Sequence, residues 1–110
     1  MKEELLGYID ERIAWHKGEQ SRLKAEYRQD EASLLQIAIN VYGIFRSTYQ
    51  AMQFDLDKTV QRFAGIVRSW DESHKLACAH GDEQKRLIEE IKLARAAELL
   101  RRAKETEAKA

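Results

Sequence analysis

The 110-residue sequence contains no proline, only five glycines and a single cysteine. Without proline no position is barred from a helix, and with few glycines there are few places where the chain turns easily. One cysteine excludes an internal disulfide, so the chain does not belong to the disulfide-stabilised secreted domains. The sequence therefore lacks both the breakers that are typical of β-rich proteins and the cross-links that stabilise small extracellular ones.

The chain also lacks a net charge, with 19 Lys and Arg residues against 19 Asp and Glu. Affinity for nucleic acid or for an anionic membrane depends on a surplus of basic residues, so this balance argues against both partners. No run of residues approaches the ~18 apolar positions of a membrane span. The N-terminus has acidic residues where a signal peptide has its apolar stretch, and we expect a cytoplasmic protein.

Helix-forming residues are what the sequence has in abundance, because Ala, Leu, Glu, Lys, Arg and Gln lose little side-chain freedom in a helix. We predict an all-α fold with three to four long antiparallel helices, packed as a bundle in one domain that spans 1–110. The predicted helices cover about 2–28, 30–54, 57–79 and 82–105.

The three predicted breaks differ in their support. At Gly81 and Asp82, a glycine that can take the left-handed conformation is followed by a side chain that can cap a helix. At the second break we expect Asp57 to be the capping residue. The first break has neither signal, and apolar residues continue through it at helical spacing. Residues 2–54 could therefore form one continuous or kinked helix, which we slightly favour over two helices.

Apolar residues occur on more than one face of the segment 30–54, which predicts a central helix with neighbours on two or three sides. The next segment has one apolar stripe in alternating steps of four and three, typical of coiled-coil-like packing. Antiparallel pairing of these two segments would place Phe45 opposite Gly65, and we expect Gly43 and Gly65 to permit close packing. The first segment lacks aliphatic residues from His16 to Arg22, which predicts a polar layer or a gap there.

Candidate chemistry is sparse. His74, Cys78 and His80 lie within seven residues, but structural zinc sites generally take four ligands in two spaced pairs, so packing and capping are the favoured roles. Cys78 lies between two alanines, as expected of a small buried side chain rather than a reactive thiolate. The sequence contains no phosphate-binding glycine loop. We expect a protein that is not an enzyme and that binds no cofactor and no small-molecule ligand.

Two short stretches carry a resemblance to known proteins. Residues 27–32, Tyr-Arg-Gln-Asp-Glu-Ala, and residues 40–45, Asn-Val-Tyr-Gly-Ile-Phe, resemble small uncharacterised helical proteins of Gram-positive bacteria. The resemblance implies an all-α bacterial protein, and it brings no activity and no site residues.

The functional expectation is a self-associating interaction module, most simply a two-fold homodimer, because the central segment is apolar on too many sides for one short chain to cover. Two alternatives stay open: a nucleic-acid-associated regulator that uses the basic C-terminal helix with Arg95, Arg101, Arg102 and Lys104, and a metal-binding bundle. The residues expected at the interface between copies are Leu6, Ile9, Ile13, Leu23, Tyr27, Leu34 and Val41.

Overall fold

The computed structural model describes residues 2–109, and these residues form four α-helices with no strand. The helices are α1 (Lys2–Ala25), α2 (Gln29–Ala51), α3 (Leu56–His80) and α4 (Glu83–Ala108). Each is roughly 35–40 Å long at 1.5 Å per residue. The prediction of an all-α fold is confirmed, with four helices rather than three.

The continuous helix over 2–54 does not form, because α1 ends at Ala25 and α2 begins at Gln29. Tyr27 adopts a left-handed backbone conformation with φ 60°. The N–H of Arg28 donates to the carbonyl of Leu23 at 2.8 Å, and this bond reverses the chain. The motif normally has glycine at the left-handed position, so a tyrosine there left no signal in the sequence.

The second connection also uses non-glycine residues with positive φ, Gln53 at 55° and Phe54 at 63°. The N-cap of α3 is Asp55, whose carboxylate accepts a hydrogen bond from the N–H of Lys58 at 3.0 Å. The expectation that Asp57 caps this helix is wrong, because the turn ends two residues earlier and places Asp57 in the first helical turn.

The third connection follows the local signals in the sequence. Gly81 is left-handed with φ 68°, and the N–H of Asp82 donates to the carbonyl of Ala77 at 2.9 Å. The carboxylate of Asp82 then caps α4 by accepting from the N–H of Lys85 at 3.1 Å. The predicted break at Gly81 and Asp82 is confirmed.

Helices α2 and α4 occupy the middle of the molecule, and each contacts the other three helices. Helices α1 and α3 lie at the sides and make no close contact with each other. The described residues form a slab of 42 × 36 × 21 Å with a radius of gyration of 15.0 Å. A globular chain of this length has a radius of gyration of about 13 Å, so the packing exposes more helix surface than a spherical domain does.

Aromatic residues dominate the core, with Tyr42, Phe45 and Tyr49 of α2 fully or almost fully buried. The Phe45 ring packs edge-on against Phe63 of α3, with ring centroids 5.0 Å apart. Phe45 therefore does not pack on Gly65, which is exposed; the nearest contact for a β-carbon added there is the tip of Arg68 at 3.9 Å. The prediction of close packing through Gly65 is wrong, because this glycine lies on the outer side of α3.

Candidate functional site

Glu98 of α4 is one of two buried glutamates among the described residues. It is only 8% exposed, and it follows a run of mostly small apolar side chains. The adjacent Leu99 and the nearby Ala96 are fully buried in the core. A buried carboxylate is costly unless it is paired and hydrogen-bonded, so its partners define the site.

Four side chains bind both oxygens of this carboxylate. Tyr8 donates from its hydroxyl to Oε2, and Tyr42 donates to Oε1 at 2.7 Å. The Arg95 guanidinium donates to Oε1 at 2.7 Å, and Nε of Arg12 lies 3.3 Å from Oε2. We call these five residues the Glu98 cluster. It ties together α1, α2 and α4.

Helical spacing explains how the cluster assembles. Tyr8 and Arg12 are four residues apart on α1, and Arg95 and Glu98 are three apart on α4, so each pair shares a face of its helix. Tyr42 reaches the cluster from the middle of α2 and is fully buried. Local sequence patterns do not reveal the cluster, because its members lie far apart along the chain. The signal that could have indicated it is a single acid within the otherwise apolar segment 96–100.

The surroundings keep Glu98 ionised. Burial favours the protonated acid, but hydrogen bonds from Tyr8 and Tyr42 and the charges of Arg95 and Arg12 outweigh it, so the pKa of Glu98 is lowered. Burial, together with the hydrogen bond to Glu98, raises the pKa of Tyr8 to about 12. Burial is also the main cause of the raised pKa of Tyr42. Both oxygens of the carboxylate are bound, and the tyrosines stay neutral near pH 7. This arrangement is typical of a fixed ion network and not of a site that transfers protons near neutral pH.

His16 extends the polar region on α1 and is 4% exposed. Its Nδ1 lies 2.7 Å from the carbonyl oxygen of Arg12, and its ring centroid is 5.3 Å from that of Tyr42. Burial lowers the pKa of His16, and the charges of Arg12 and Arg95 lower it further. One turn later, Gln20 donates to the carbonyl of Ala32 at 3.1 Å. Of the two alternatives expected in this part of α1, a polar layer or a gap, the structure has a polar layer, and it joins α1 to α2.

The candidate metal ligands do not form a ligand set. Nε2 of His74 lies 3.0 Å from a carboxylate oxygen of Glu90, which also accepts from Arg86. The Cys78 sulfur is 3.8 Å from the same His74 nitrogen, and Cys78 is exposed, not buried as the sequence suggested. His80 is exposed at the end of α3. Among residues 2–109, no three His, Cys, Asp or Glu side chains are arranged to hold a metal ion.

The residues expected at an interface between copies are divided by the structure. Ile9, Leu23 and Val41 are buried within the chain at 0%, 5% and 1% exposure. Three other residues of this set, Leu6, Ile13 and Leu34, are half-buried. Tyr27 is 95% exposed and lies in the connection between α1 and α2. In α1 the fully buried leucine is Leu5, whereas Leu6 is half-buried.

An open apolar groove runs along the outer side of α1 and α2, with a volume of about 710 Å³. We call it the α1/α2 groove. Its apolar lining comes from Ile13, Ile39 and Ile44, and Ile44 is 36% exposed. Gly43 and Ser47 leave room beside Ile44, and a β-carbon at Gly43 would meet no atom within 4 Å.

The basic residues of α4 do not form one uniform surface. Arg102 lies 3.7 Å from both Glu4 and Glu105, and its guanidinium stacks 4.7 Å from the Tyr8 ring. Arg101 is exposed and lines grooves on both sides of α4.

No family model, curated protein or solved structure matches the chain. None of the described helices combines the length and hydrophobicity that crossing a bilayer requires.

Proposed function

We propose that this chain is a non-enzymatic helical interaction module that forms a two-fold homodimer through the α1/α2 groove. The observation that carries the proposal is an exposed isoleucine, Ile44, in the lining of an open apolar groove. A two-fold interface joins the same patch on both subunits, so it needs a patch that fits itself. Each Ile44 would enter the groove of the other copy, where Gly43 permits close approach.

The exposed area supports a second copy as the occupant. The chain has an accessible surface of 6821 Å². A folded monomer of its mass exposes about 6,300 Å², so this chain exposes roughly 500 Å² more. A standard interface buries about 800 Å² per partner, and the excess is of that order. The zero net charge also favours association, because two copies do not repel each other.

Within each copy we propose an antiparallel bundle. Glu4 of α1 pairs with Lys109 at the end of α4, and Tyr8 and Arg12 reach Glu98 further back along α4, as expected of helices that run in opposite directions. Connections of two to four residues between successive helices also favour antiparallel neighbours. In this arrangement the Glu98 cluster holds the helices in register, and the single cysteine stays reduced in the cytoplasm.

The test is the mass of the particle in solution, measured by light scattering after size exclusion at tens of micromolar. The chain has a mass of 12.8 kDa, and we expect twice that value for the wild type. Ile44→Glu places a charge in the apolar contact and should give a monomer that is still helical by circular dichroism.

Leu76→Glu is the matched control, because Leu76 is also an exposed aliphatic residue on a helix, at 56% exposure, but lies on α3 away from the α1/α2 groove. This variant should remain a dimer. A monomeric wild type would refute self-association. A dimer that survives Ile44→Glu and dissociates with Leu76→Glu would place the interface on α3 and overturn the proposed surface.

A further inference from the structure

A second groove lies between α1 and α4, with a volume of about 440 Å³. We call it the α1/α4 groove. Its size falls in the ~300–1,000 Å³ range that is typical of small-molecule sites. Glu98 forms part of its wall, and the other lining residues are Tyr8, Arg12, Ala94, Arg95, Ala97 and Arg101.

The groove carries an excess of positive charge, because the described residues that line it include three arginines and one acid, Glu98. Both Glu98 oxygens are already bound by the cluster, so the carboxylate has little capacity to bind a cation. Two net positive charges remain at a partly exposed surface. Such a surface attracts anions from solution.

Most of the arginine donors in the groove are unused. Within residues 2–109, Arg12 forms polar contacts only through Nε, and Arg95 only through Nη1. The other N–H groups of both guanidiniums, and all those of Arg101, make no hydrogen bond to a described residue. A guanidinium has five N–H donors in a planar fork, so the three arginines offer many donors to one ligand.

An exposed aromatic ring lies beside Arg12, one of the arginines that line the groove. Trp15 is 55% exposed, and the Arg12 guanidinium lies 5.4 Å from its ring centroid. Tyr8, Arg12 and Trp15 follow steps of four and three along α1, so they share one face of the helix. This places a stacking surface for a planar ring beside the arginines.

We propose that the α1/α4 groove binds a diphosphate group, with Arg12, Arg95 and Arg101 as its ligands. Guanidinium forks match the geometry of phosphate oxygens, and charge-assisted bonds of this kind are strong. A diphosphate carries more than one negative charge. It therefore neutralises the two net positive charges of the groove better than a ligand with a single carboxylate does. The diphosphate is either free or part of a nucleotide, whose base would stack on Trp15.

The experiment titrates the intact protein with pyrophosphate and with ADP, by isothermal titration calorimetry and by Trp15 fluorescence. Fluorescence uses a Trp70→Phe background, because the chain has two tryptophans and this change leaves Trp15 as the only reporter. We expect saturable binding that weakens as salt increases, since ion pairing is screened. Equal affinity for both probes assigns a free diphosphate. At least tenfold tighter binding of ADP, with quenching of Trp15, assigns a nucleotide.

Arg101→Gln removes one ligand and leaves the Glu98 cluster intact, and it should weaken binding about tenfold. Arg62→Gln is the matched control, because Arg62 is an exposed arginine of α3 outside the groove, and it should bind as the wild type does. No binding of either probe at about 10 mM would overturn the proposal. An equal loss in both arginine variants would also overturn it, because it would indicate general charge attraction rather than a site.

Discussion

Replacing Glu98 by glutamine tests whether the Glu98 cluster stabilises the packing of three helices. The substitution preserves size, but it removes the charge that faces Arg12 and Arg95, and its amide nitrogen presents a donor to groups that are themselves donors. The hydrogen bond most affected is that of Tyr42, because this residue is fully buried and its hydroxyl has no access to water.

The expected loss of stability in Glu98→Gln depends on how exposed each partner of the carboxylate is. A buried hydrogen bond to a charged group contributes about 1.5–3 kcal/mol, and we assign that range to Tyr42. The arginine side chains are 32% and 30% exposed, so each ion pair adds at most about 0.5 kcal/mol after screening. Because glutamine still accepts one bond, we expect a net loss of about 2–3 kcal/mol, or about 10 °C in the melting temperature.

Thermal melting followed by circular dichroism at pH 7 measures this loss. Glu105→Gln is the matched control: it is also a glutamate of α4, but it is exposed, and its nearest basic group is Arg102 at 3.7 Å. The control should change the free energy of unfolding by less than about 0.5 kcal/mol. A Glu98→Gln variant that melts within about 3 °C of the wild type would refute the assigned role.

The same pair of proteins has an expected pH dependence. The folded pKa of Glu98 lies below its ordinary value of 4.5, so the folded state binds this proton more weakly than the unfolded state does. The stabilisation is therefore present above about pH 4.5 and is lost as the pH falls through the folded pKa. The difference in the free energy of unfolding between wild type and Glu98→Gln should be constant from pH 8 to 5 and should shrink below pH 5. A difference that grows towards acid pH would contradict the lowered pKa.

Two further predictions concern glycines and caps. Gly65→Ala should stabilise the fold by about 0.5–1 kcal/mol, because this helical position is exposed and has room for a β-carbon. Gly81→Ala should destabilise the fold, because Gly81 has a φ of 68°. A melting temperature that falls for Gly65→Ala would contradict the placement of α3. Asp55→Ala should cost about 1 kcal/mol by leaving the Lys58 N–H without its cap, and Asp57→Ala should cost clearly less; urea unfolding that reverses this order would show that Asp57 is the cap.

The α1 to α2 connection shows why one boundary escaped prediction. The sequence signals used for a helix end are glycine, proline or a capping side chain, and all of these act within a few residues. Tyr27 is none of these, yet it takes the left-handed conformation that reverses the chain. A conformation of this kind costs about 1–2 kcal/mol in a non-glycine residue, so it persists only where packing of the two helices offsets that cost.

The interface prediction shows a related limit. Periodicity identified apolar faces on α1 and α2, and Ile9 and Val41 are indeed apolar positions that become buried. What periodicity does not specify is which helix covers a face, whether from the same chain or from another. The structure covers these two residues within the chain and leaves Ile44 exposed instead.

By itself, the sequence determined the helical class and the break at Gly81 and Asp82, because these depend on residue propensity and on contacts close along the chain. Only the tertiary structure decided the Glu98 cluster. Its two tyrosines lie 90 and 56 residues from Glu98 along the chain, and no local pattern encodes a pairing at such separations. The physical reason is that a buried charge selects its partners from whatever side chains the packed helices bring within hydrogen-bond distance.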